Sequence, residues 1–211
     1  MSEEKLIEEP AFGHHLGIWY PLVWRILSTN KYWSPSMWLP KHSALAIDLY
    51  LGFWWLTETL SILLCTNIFH WTGIGTWIAL SLIIFRITDL MFVLLSILVR
   101  GFYKKQGDWT SVNRVTLLVV LNSVELMVMF AILFMALGTL MPEIANTAPP
   151  LNSFFDALYF SFVTGTSLGY GIPHPVGWLV RLLAIMEASS IILVVIAVIG
   201  YITNEKKKSH H

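Results

Sequence analysis

Apolar residues run along this chain in stretches too long for a soluble core, separated by short polar connections. Four stretches reach the roughly 20 residues that a helix needs to cross about 30 Å of hydrocarbon. They run from about Leu45 to Phe69, Thr76 to Val99, Val115 to Leu140 and Val176 to Ile202. Between the third and fourth lies a shorter apolar run, Ser153 to Thr164. As a helix it would rise about 18 Å, near half the membrane, so it cannot span and must return to the side it entered from. It is followed by TSLGYG, Thr166 to Gly171. Non-helical backbone at membrane depth is tolerated only where protein buries it or water meets it, so this run is expected to line water.

Composition agrees with that solvent. Of 211 residues, 56% are hydrophobic and 12% charged, which points to a polytopic membrane protein in a lipid bilayer. A net charge of zero gives no argument for a nucleic-acid partner. A single cysteine, Cys65, excludes an intrachain disulfide framework, and the seven scattered histidines offer no metal-ligand spacing. No cofactor is expected. Arg100, Lys104, Lys105 and Arg114 precede the third span and NEKKK follows the fourth, whereas the opposite connections carry no Lys or Arg. Basic loops stay inside, which predicts a multi-pass protein of the plasma (inner) membrane with both termini cytoplasmic. Leu16 to Leu27, rich in tryptophan and apolar at helical spacing, reads as a helix lying on the inner leaflet or packed on the protein. The chain thus divides into 1–43, a cytoplasmic segment; 44–113, a two-helix module with a basic loop; 114–203; and a basic tail, 204–211.

Ionisable residues inside the spans are costly enough to require partners or water. Glu58, Arg86, Asp89 and Glu125 lie in the first three. Arg86 and Asp89, three apart, share a helical face and can pair; pairing of Arg86 with Glu125 or Glu58 across helices is equally open. A structural ion pair is the favoured reading over gating, because a voltage sensor needs several arginines and here there is one. On the last span, Arg181 lies near the outer end, where it could meet Asp156, and Glu187 lies two turns deeper. Glu187 either supports the short helix or faces a cavity.

Backbone carbonyls freed from helix bonds can replace the hydration shell of a cation when several copies surround an axis. From about Val115 to Tyr201 the order of outer helix, half-length helix, TSLGYG loop and inner helix resembles the pore module of tetrameric potassium channels, whose usual filter is TTVGYG. The resemblance implies an all-α membrane protein with four transmembrane helices, a re-entrant pore helix and a selectivity-filter loop, acting as a homotetramer. It implies K+ as the permeant ion, held by carbonyls of Thr166, Ser167, Leu168, Gly169 and Tyr170, with Gly169 and Gly171 supplying positive φ. Tyr170 would wedge outward, and Tyr159, Phe160, Thr164 and Glu187 would support the filter. The end of the pore helix, near Val163 and Thr164, would turn its partial negative charge toward the cavity. This chain departs from the family at Val163 and Ile172, where acidic residues are common, and at Ser167 and Leu168.

Two other readings stand beside a potassium-selective channel: a weakly selective monovalent-cation channel and a non-conducting partner subunit. An enzyme using Glu58, Asp89, Glu125 and Glu187 as intramembrane acids lacks any recognisable arrangement of nucleophile and base, so no catalytic residue is assigned.

Overall fold

A computed structural model describes residues 44–65, 74–101, 112–169 and 172–208, with isolated positions at 25, 29, 32 and 35. The surface helix expected at Leu16 to Leu27, apart from residue 25, lies outside the described residues, as do most of the basic loop before residue 112 and the pair Tyr170 and Gly171.

The described chain forms α1 (Ala44–Cys65), α2 (Ile74–Gly101), α3 (Val112–Leu140), β1 (Thr147–Ala148), α4 (Phe154–Gly165), β2 (His174–Pro175) and α5 (Trp178–Lys208). The described chain is helical apart from one small feature. β1 and β2 pair antiparallel, with Thr147 opposite Pro175 and Ala148 opposite His174. Among the described residues, three helices are long and apolar enough to cross a membrane, over Ile74–Leu95, Leu117–Leu140 and Trp178–Ile196. The fourth expected span, α1, is 22 residues long and would reach about 33 Å.

In α1, Leu45, Leu49, Phe53, Leu56 and Leu60 are exposed, whereas Trp54, Glu58 and Ser61 are buried. The helix is therefore inside out relative to a soluble one: polar groups sit in the bundle, while its outer face is apolar.

α3 is the axis of the bundle, packed against α1, α2, α4 and α5. Every residue from Met129 to Ala136 is buried, so at that level the helix has protein on all sides. Phe134 meets Phe160 of α4 edge-on, with ring centroids 4.8 Å apart. The connection after α3 is strapped to the start of α5: Val176 and Gly177 N–H donate to the Asn146 carbonyl at 3.1 and 3.0 Å, and Leu179 N–H donates to the Ile144 carbonyl at 3.0 Å. These bonds hold the two ends of the α4 segment together.

Candidate functional site

The short helix begins at a capping box. Ser153, in extended backbone, accepts from Asp156 N–H, and the Asp156 carboxylate accepts from Ser153 N–H at 3.0 Å. Two orphan donors are satisfied reciprocally, and an acid sits on the positive end of the helix dipole. That carboxylate also accepts from Ser153 Oγ at 2.9 Å. Asp156 is thus turned back on its own cap, and the ion pairs found among the described residues do not join it to Arg181.

The helix ends in an equally definite way. Ser167 N–H donates to the Thr164 carbonyl and Leu168 N–H to the Val163 carbonyl, both at 3.2 Å, with Ser167 at φ 55. This is a Schellman cap, with serine where glycine is usual, at a cost of about 1–2 kcal/mol for the left-handed conformation. It modifies the expected helix end, because the Val163 and Thr164 carbonyls are already occupied. Gly169 follows at φ 92, with Leu168 between at negative φ. The backbone therefore leaves the helix after residue 166, with positive φ at two positions of the four-residue run 166–169. Thr166, Ser167, Leu168 and Gly169 are all exposed, Leu168 at 71%. Tyr170 and Gly171, the remainder of the expected filter, lie outside the described residues.

The residues expected to support this loop separate. Phe160 is buried against Phe134, while Tyr159 is exposed. Adjacent helical residues point about 100° apart, so a single chain does not bring both rings to one place. Thr164 is buried and donates to the Phe160 carbonyl at 2.7 Å. Glu187 is fully buried on α5 and bonds to Ser161 Oγ of α4. Ser161 Oγ also lies 2.7 Å from the Met127 carbonyl of α3. A Cβ added at Gly165 would stand 3.5 Å from Glu187 Oε1, so this carboxyl lies directly behind the end of α4. Ser161 was not anticipated from the sequence; its signal is a hydroxyl between Phe160 and Phe162 in a largely apolar run.

Away from this loop, Arg86 joins the first three helices. Its Nε donates to Glu125 Oε1 at 2.6 Å, and Nη1 reaches Asp89 Oδ2 and Tyr50 Oη at 3.2 Å each. Tyr50 Oη in turn donates to Asp89 Oδ2 at 2.8 Å. The guanidinium stands 5.1 Å from the ring centres of both Tyr50 and Trp54, a cation–π sandwich edge that no spacing rule foretold. Of the partners left open for Arg86, the fold selects Asp89 and Glu125. Glu58 is buried nearby, its Oε1 without a hydrogen-bond partner among the described residues. Those residues contain no group of acids, histidines or cysteines able to hold a metal ion.

No curated protein and no solved structure matches the chain. Residues 116–206 match a family model described as an ion channel, a stretch that takes in α3, the capped short helix, the 166–169 loop and nearly all of α5. The match supports an ion-channel pore domain in that part of an integral membrane protein.

Proposed function

We propose that the chain forms a potassium-selective channel that conducts K+ passively through a homotetrameric pore. The observation that carries this reading is the backbone of 166–169. A helix too short to span is capped at both ends and delivers an exposed loop in which Ser167 and Gly169 alternate in handedness with Leu168. Alternation of φ sign lets successive carbonyls turn to one side of a chain, which suits a ring of oxygens around a dehydrated cation. On this reading the ligands are the carbonyls of Thr166, Ser167, Leu168, Gly169 and Tyr170, with Gly171 completing the turn. Tyr159 reaches a neighbouring subunit, and Thr164 and Glu187 hold the helix behind the loop. α4 is the re-entrant pore helix.

α1 is the fourth span. Its exposed leucines and phenylalanine face lipid and its buried acid faces protein, as expected for ionisable groups in membrane helices. The pore unit is 114–203, the two-helix module 44–113 packs against it, and both termini lie in the cytoplasm.

The test is the reversal potential of the purified protein in planar bilayers with K+ on one side and Na+ on the other. A shift to the K+ equilibrium potential is expected, lost in Gly169→Ala. A Cβ there meets nothing within 4 Å, so that substitution acts through the left-handed φ, at about 1–2 kcal/mol per subunit, rather than through a clash. Robust current reversing near zero would leave a weakly selective cation pore, the reading favoured by Leu168, Ile172 and Val163. Silence across voltage and pH would leave a non-conducting partner subunit.

A further inference from the structure

The contact among Ser161, Glu187 and Met127 sets a count of protons. Ser161 Oγ bonds to Glu187 Oε1 and lies 2.7 Å from the Met127 carbonyl oxygen. The second is an ordinary hydrogen-bond separation for oxygen and the first is closer still, so each needs a proton between its two atoms. A hydroxyl supplies one proton and a backbone carbonyl none. If Ser161 donates to Glu187, the Ser161 and Met127 lone pairs face each other with nothing between them. If Ser161 donates to Met127, the second proton has one source, the carboxyl of Glu187.

We propose that Glu187 is a positioning residue that keeps its acidic proton and donates it to Ser161 Oγ, which donates in turn to the Met127 carbonyl. The relay ties α5 to α4 and α4 to α3 directly behind the 166–169 loop. As a device for holding a pore, it rests on the channel reading above.

The surroundings agree with a neutral group. Both Glu187 and Ser161 are fully buried, and Glu187 Oε2 has no hydrogen-bond partner among the described residues. An ionised carboxylate left with a bare oxygen in an apolar interior is costly. Among the described residues, the charged groups of the packed helices lie elsewhere. On α3, Glu125 is held by Arg86 of α2, which also holds Asp89. On α4, Asp156 closes its capping box. On α5 itself, Arg181 is exposed, six residues toward the outer end.

The experiment is infrared difference spectroscopy of the full-length protein in lipid bilayers at neutral pH, wild type against Glu187→Gln, with Ser161→Ala as a second variant. The expected result is a protonated-carboxyl band that disappears in Glu187→Gln and moves to higher frequency in Ser161→Ala, where the acid loses its acceptor. Should Glu187→Gln fail to assemble, the Ser161→Ala shift alone assigns the band. A carboxylate band at Glu187 would overturn the relay.

K+ current through the same variants reads the positioning role. Glu187→Gln, neutral and still a donor, should conduct within about twofold of wild type, whereas Glu187→Ala, which leaves Ser161 short of a partner, should fall about tenfold. Equal currents in Glu187→Ala and wild type, or equal losses in both variants, would overturn it. Absence of current in the wild type itself would count against the channel reading instead, and the infrared band would still decide where the proton is.

Discussion

Arg86 shows how one side chain can organise three helices. Its planar fork reaches Glu125 through Nε and Asp89 through Nη1, with Tyr50 and Trp54 beside the guanidinium. Arg86→Gln leaves two buried acids without their cation and should cost about 3–5 kcal/mol, the penalty of breaking a buried pair from one side. Arg86→Lys keeps the charge but not the fork, and an intermediate loss is expected. Adding Glu125→Gln to Arg86→Gln should recover part of the loss, since the uncompensated acid goes too. Thermal unfolding of the detergent-solubilised protein measures all three, and wild-type stability in Arg86→Gln would show that the cluster contributes nothing. The four residues Glu58, Arg86, Asp89 and Glu125 were recognisable in the sequence because ionisable groups are rare inside apolar spans. The choice of partner was not, since it depends on how the helices are rotated.

At the level of elements, the half-length helix was legible from length alone, and its observed range, Phe154–Gly165, follows from the Ser153 capping box. The strap across its two ends was not legible. β1 and β2 are two residues each, far below what a periodic pattern can announce. Gly177 is the tightest point of that strap, because a Cβ there would collide with the Ile144 backbone and stand 2.9 Å from Asn146 N. Gly177→Ala therefore forces the backbone apart, with an expected loss of about 1–3 kcal/mol. It should appear as a lower unfolding temperature and faster proteolysis in the 142–152 connection. An unchanged cleavage pattern would mean that the strap does not hold the segment.

For the molecule as a whole, the proposed pore requires further copies of the chain. Leu168 is 71% exposed, Ile172 69% and Tyr159 54%, all on the segment that one chain leaves uncovered around its capped helix. One such loop per chain supplies one strand of oxygens, and a closed ring requires several related by rotation. Native mass spectrometry of the protein released from detergent should give four times the 24.0 kDa chain mass. Dimers or monomers alone would sink the ring. Tryptophan or alanine at Leu168 should alter assembly or conductance, while leaving the Phe134–Phe160 contact inside each chain intact.

The sequence by itself determined the solvent, the number of long apolar stretches, the short helix that cannot span, and the glycine at the positive-φ position 169. Each of these follows from composition, length or the lack of a Cβ, which are local properties. Only the tertiary structure decided the rest. It turned Glu58 and Ser61 of α1 into the bundle and its leucines outward. It chose Glu125 and Asp89 for Arg86, and brought Ser161, Glu187 and Met127 together across three helices. Those outcomes depend on which faces of distant helices meet, and helix rotation is set by packing rather than by any residue's neighbours in the chain.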